Sequence, residues 1–328
     1  MTAIPVTTSQ DAARRRTSSF FRRYSTLLAL AALFIGFSIF VDRFLTPTNL
    51  VNILQQISML TIVGIGLTFC FAAKEIDLSV GFVAAFAGLV VTTLMSTYDV
   101  AVPLAIAAGV GVGLVIGLVN ALLVTLIGIP SLIVTLAMGT IVGGINFMIS
   151  GGRAIYGGIP ATFTYLGQGR IGIIPVVSLI MLGLVLLSYI VMNHSFFGRY
   201  VYALGGNPKA TQLSGIPVRR YRILALVLTS MFAATAGILL AARLGSGQPT
   251  AGANYLLDGL ATVFIGMTML RPGMATVLGT FFGALFIGIV NNGLNLVGLD
   301  SYVQDIFKGA ILILAVSIVS RQTTLKLL

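Results

Sequence analysis

One cysteine, Cys70, and one histidine, His194, are too few for a disulfide framework or a thiol metal site. Cys70 lies in an apolar stretch, where a small thiol packs, and His194 ends another, where a polar ring meets the interface. Charge is just as scarce. Only 8% of the 328 residues are charged, 57% are hydrophobic and the mean hydropathy is +1.06, which excludes an ordinary soluble domain with its densely charged surface. The chain has no GxxxxGK[ST], so it cannot cradle ATP phosphates through a P-loop. It also lacks HExxH and GxSxG, and no catalytic constellation, metal site or cofactor site is expected.

What is present is a series of apolar runs near 20 residues, the length that crosses a hydrocarbon core of about 30 Å as a helix. Lipid tolerates no open sheet edge, so the expected fold is all-α and polytopic. The expected spans number about ten: 26–42, 51–73, 79–97, 101–127, 131–150, 172–193, 222–243, 257–270, 274–297 and 302–320. This divides the chain into a polar N-terminal tail (1–24), a membrane domain (25–320) with a basic loop at 194–221, and a short tail (321–328). The tail carries Arg14, Arg15, Arg16, Arg22 and Arg23 ahead of an apolar run, but no small-x-small cleavage site follows, so an uncleaved first helix is expected.

The formal charge of +11 does not point to nucleic acid, because the cations cluster in short loops and tails. If the N-terminus is cytoplasmic, ten spans return the C-terminus there. That side then holds the five arginines of the tail, Lys74, Arg199, Lys209, Arg219, Arg220, Arg222, Arg271, Arg321 and Lys326. The other side holds only Arg43, Arg153, Arg170 and Arg243, with Lys308 inside a span. Two Gly- and Pro-containing segments on that outer side, near 150–171 and 245–256, read as folded surface loops. Gly109, Gly113 and Gly117 in one span, and Gly279 and Gly283 in another, predict close helix packing. IGLT at Ile65–Thr68 recurs as IGMT at Ile265–Thr268, a weak internal echo of the kind found in transporters.

Three polar constellations stand out in this apolar background. In KEIDLSVG, Lys74–Gly81, Asp77 and Ser79 sit either in a tight cytoplasmic turn or in an intramembrane break whose Asp77 meets solute hydroxyls or caps the next helix. In VNNGLNLVG, Asn291, Asn292 and Asn295 form an uncharged amide face suited to polyhydroxylated solutes, or to gluing helices together. Gln55, Gln56, Asn120 and Asn146 are weaker members of the same class. In the loop from Gly198, the residues Gly205, Gly206 and Pro208 mark a turn and Asn207 can cap. PKATQLSG then reads as a short helix ended by Gly215, either a lever for a soluble partner or a basic connector on anionic lipid.

EIDLSVG at 75–81, IPSLIVTLAMGTIVGG at 129–144, GRYVYALGGNPKATQLSGI at 198–216 and the run at 279–316 together resemble the permease subunit of bacterial ribose-type, or monosaccharide, ABC importers. The resemblance implies an inner-membrane permease working as a pair, with a second copy or a homologous permease. It also implies a cytoplasmic ATP-binding subunit and a periplasmic sugar-binding protein. Coupling to the ATPase would run through Gly198, Arg199, Gly205, Gly206, Asn207, Ala210, Gly215 and Ile216, and the sugar route past Asp77, Ser79, Asn291, Asn292 and Asn295. Lys74 and Glu75 replace the family's usual small residues before IDLS. A proton-coupled carrier with Glu75 or Asp77 as relay is the alternative reading.

Overall fold

A backbone amide in lipid has no water to bond, so an apolar stretch closes its hydrogen bonds within a helix. The computed structural model describes residues 26–270 and 273–323, and each expected span is a helix there. The long helices are α1 (Thr26–Phe40), α2 (Pro47–Ala72), α3 (Val80–Tyr98), α4 (Val102–Leu122), α5 (Ser131–Ser150), α7 (Val176–His194), α10 (Val218–Leu244), α11 (Ala253–Met269), α12 (Val277–Leu296) and α13 (Ser301–Thr323). Among the described residues eight helices are long and apolar enough to cross a membrane; α1 and α11 are shorter. The arginine-rich tail, Arg271 and Lys326 lie outside the described residues.

Some boundaries differ from the hydropathy reading, each for a local reason. The second span starts at Pro47, ahead of its apolar run, because Thr46 caps it with Oγ1 accepting from the Asn49 amide at 3.4 Å. The run at 172 does not begin a helix. Arg170–Ile171 (β2) and Ile174–Pro175 (β3) pair as a hairpin turned by Gly172 at φ +62°, and α7 starts after it. The preceding segment folds as β1 (Ile155–Tyr156), which pairs with β4 (Ser246–Gly247), and as the short helix α6 (Ala161–Gln168).

α10 is central and packs against α2, α3 and α4, while α11 packs on α12 and α13. Small residues set these approaches, as the glycine spacing predicted. A Cβ at Gly113 of α4 would lie 2.7 Å from the Ser230 carbonyl oxygen of α10, and one at Gly279 of α12 would lie 2.6 Å from that of Gly266 in α11. The echoed tetrapeptides fall near the C-terminal ends of α2 and α11, each before a break and another helix, and the Thr68 and Thr280 hydroxyls meet at 2.6 Å.

Between α7 and α10 lie two short helices, α8 (Phe196–Gly206) and α9 (Pro208–Leu213). They sit at one end of the bundle, with the end of α2 and the start of α10. α6 packs on Arg243 at the other end of α10, where Gln168 donates to the Arg243 carbonyl at 2.9 Å.

Candidate functional site

At the α9 end, local sequence builds an exposed protrusion on a buried base. Residues 196–206 form a helix that polarity alone did not reveal, and Gly205 and Gly206 are its last turn; the reversal itself is at Asn207. Gly198, Val201 and Leu204 face inward at helical spacing. The packing is tight. A Cβ at Gly205 would overlap the carbonyl oxygen of Ala72, the last residue of α2, and one at Gly198 would overlap that of Met192. Tyr202 donates to the Ala275 carbonyl at 3.0 Å, and Arg199 lies 4.3 Å from the Phe196 ring centre.

α9 follows the expected chemistry closely. The Asn207 side chain accepts from the Ala210 amide at 3.0 Å, Pro208 opens the helix, and Gly215 adopts φ +79°, which favours glycine. Lys209, Ala210, Gln212 and Leu213 are exposed, Leu213 at 82%, while Thr211 anchors the inner face. Ile216 is half-buried, its amide bonded to the Thr211 carbonyl at 3.3 Å. An exposed apolar tip on a capped turn is a form suited to a partner's cleft.

This base touches the break between α2 and α3. Lys74, at φ +58°, donates to the Gly206 carbonyl at 3.5 Å, and buried Glu75 pairs with Arg222 at the start of α10. Asp77 and Ser79 are fully buried behind them. Asp77 Oδ1 accepts from the Ser79 amide at 2.8 Å and the Ser79 hydroxyl at 2.5 Å, and Oδ2 accepts from Ser230 at 3.3 Å. Asn120 donates to Ser79 at 3.2 Å, and the free amides of Ile76 and Leu78 are taken by Ser131 and Thr135. The segment is therefore an interior break, satisfied by α4, α5 and α10, rather than a solvated turn.

The amides of α12 divide between two roles. Asn292 and Asn49 of α2 exchange two hydrogen bonds, at 2.8 and 2.9 Å, in a buried pair that ties the helices together. Asn291 and Asn295 instead line a cavity of about 310 Å³ at the end opposite α9, with Gln56, Asp258, Gln304 and Lys308. Asp258 and Lys308 are 3.5 Å apart, and Asn291 donates to Asp258 at 3.2 Å. Asp77, Ser79 and Asn292 do not line this cavity. The acid–base pair was missed in the sequence, although two opposite charges within apolar runs were the available signal. Among the described residues no group of three His, Cys, Asp or Glu could hold a metal ion.

A many-helix membrane bundle with a capped, exposed helix at one end and a polar cavity at the other defines the class as membrane transport proteins. The chain belongs to the branched-chain amino acid transport system / permease component family, which matches residues 49–316. It is 37% identical over 314 residues to the ribose import permease protein RbsC of Escherichia coli K12, covering 94% of this chain and 98% of that one. It is 39% identical to RbsC of Bacillus subtilis 168, over 90% and 92% of the two chains. It is also 36% identical to the L-arabinose transport system permease protein AraH of E. coli K12, over 95% of each. No solved structure matches.

Proposed function

We propose that this chain is the multi-pass inner-membrane permease subunit of a binding-protein-dependent ABC importer, carrying a monosaccharide such as ribose or a related sugar. The observation that carries the reading is the exposed, doubly capped α9, seated through Gly205 and Lys74 on the break beside Asp77. α9 would enter a cleft of a cytoplasmic ATP-binding subunit. Closure of two such subunits would push on α8, and α8 would move the end of α2 together with the buried network around Asp77. Gly198 and Arg199 hold α8, while Asn207, Ala210, Gly215 and Ile216 shape the part that meets the partner. ATP hydrolysis belongs to the partner. Two permeases, identical or homologous, would enclose the route, with α9 on the cytoplasmic side and the polar cavity facing a periplasmic sugar-binding protein. Membrane lipid surrounds the outer helices.

The interior setting of Asp77 and the Arg222 partner of Glu75 support a structural role for both carboxylates over a proton relay. The test is uptake of D-ribose and L-arabinose into proteoliposomes holding the complete complex, with and without ATP on the ATPase side and with a proton ionophore. Uptake that needs ATP and survives the ionophore supports the importer. Uptake that follows the proton gradient at constant ATP would replace it with a carrier.

A further inference from the structure

The cavity opposite α9 contains chemistry that helix packing alone does not require. Asp258 is buried in α11 and meets Lys308 of α13 at 3.5 Å, a long contact for a charge pair removed from water. Its other oxygen accepts from Asn291, whose own side-chain oxygen has no hydrogen-bond partner among the described residues. A buried amide oxygen left unpartnered is costly unless something fills the place. Asn295, one helical turn further along α12, is exposed and lines the same space, and Gln56 and Gln304 face it from α2 and α13. About 310 Å³ is within the range of small-molecule sites.

Resting on the importer reading, we propose that this cavity is the permease's own sugar-binding site at the outer face, with Asp258 and Asn291 accepting from sugar hydroxyls and Lys308 and Asn295 donating to them. Hydroxyls both donate and accept, so a neutral polyol satisfies this mixed set without leaving a charge unpaired. Lys308 neutralises Asp258 when the site is empty and swings partly aside when hydroxyls take over. A branched-chain amino acid fits less well, since its apolar side chain would meet the amides of Gln56, Asn295 and Gln304.

The experiment uses the permease–ATPase complex in nanodiscs, with Asn254→Cys as the reporter, because Asn254 is exposed on the cavity lining and holds no proposed sugar contact, and with buried Cys70 as an unreactive internal control. The rate of labelling by a polar maleimide is measured with millimolar D-ribose, L-arabinose or L-leucine. Tyr302→Cys, exposed and outside the cavity lining, is the accessibility control. The expected result is slower labelling of Asn254→Cys by at least one of the two sugars, with Tyr302→Cys unaffected. Adding Asn291→Leu should raise the half-protecting sugar concentration about tenfold, the loss expected for one hydrogen bond. If folding is impaired by that change, Asp258→Asn, which keeps the shape, should give a smaller shift in the same direction. Unchanged labelling with both sugars, or protection by leucine alone, overturns the proposal. Uptake is read separately. Protection without ATP-driven uptake would keep the cavity and sink the importer reading, whereas uptake without protection would do the reverse.

Discussion

Gly205→Val and Ala210→Glu separate packing inside the chain from docking outside it. A side chain at Gly205 would collide with the backbone oxygen of Ala72, and backbone cannot swing away as a flexible side chain can. Overpacking of this kind costs about 1–3 kcal/mol and should lower the unfolding temperature of the isolated permease. Ala210 is exposed on α9, where glutamate is a good helix former, so its effect on the isolated chain should stay within about 0.5 kcal/mol. In an ATPase cleft the same carboxylate would be desolvated without a partner. A penalty of roughly 3 kcal/mol weakens assembly more than 100-fold. The assays are thermal unfolding of the purified permease and sugar-stimulated ATP hydrolysis by the reconstituted complex. Ala210→Glu should unfold like wild type and lose stimulation. Full stimulation in that variant would refute the idea that α9 is the part the partner grips.

Asn292→Leu should act through stability, because it strips Asn49 of a buried partner; a cost of about 1–3 kcal/mol is expected, partly recovered in Asn49→Leu/Asn292→Leu and read by thermal unfolding. Asp77→Ala should impair uptake more than Asp77→Asn, since the amide keeps an acceptor for Ser79; equal loss in both would point instead to the charge itself. Arg222→Met should cost roughly 1–3 kcal/mol by leaving Glu75 buried and unpaired, and Glu75→Gln on top of it should restore part of the loss.

Hydropathy alone determined that the chain is a bundle of membrane helices, because an apolar run of spanning length has no other way to satisfy its backbone. Turn chemistry was equally legible at α9, where Asn207, Pro208 and Gly215 each perform the local task their side chains allow. Local rules work there because cap and turn energies involve residues only a few positions apart. α8 escaped notice because its inward face, Gly198, Val201 and Leu204, carries little polar signal, and the close approaches that hold it, Gly198 to Met192 and Gly205 to Ala72, are supplied by packing. The amides at 291–295 showed that α12 carried polar chemistry but not which residue faced what. A helix turns about 100° per residue, so adjacent Asn291 and Asn292 point to different neighbours. Only the packing of α2 on one side and α11 on the other assigned one to a structural pair and the other to a cavity. The meeting of Asp258 with Lys308 was likewise a tertiary decision, since two charges in separate helices acquire a distance only when the helices pack.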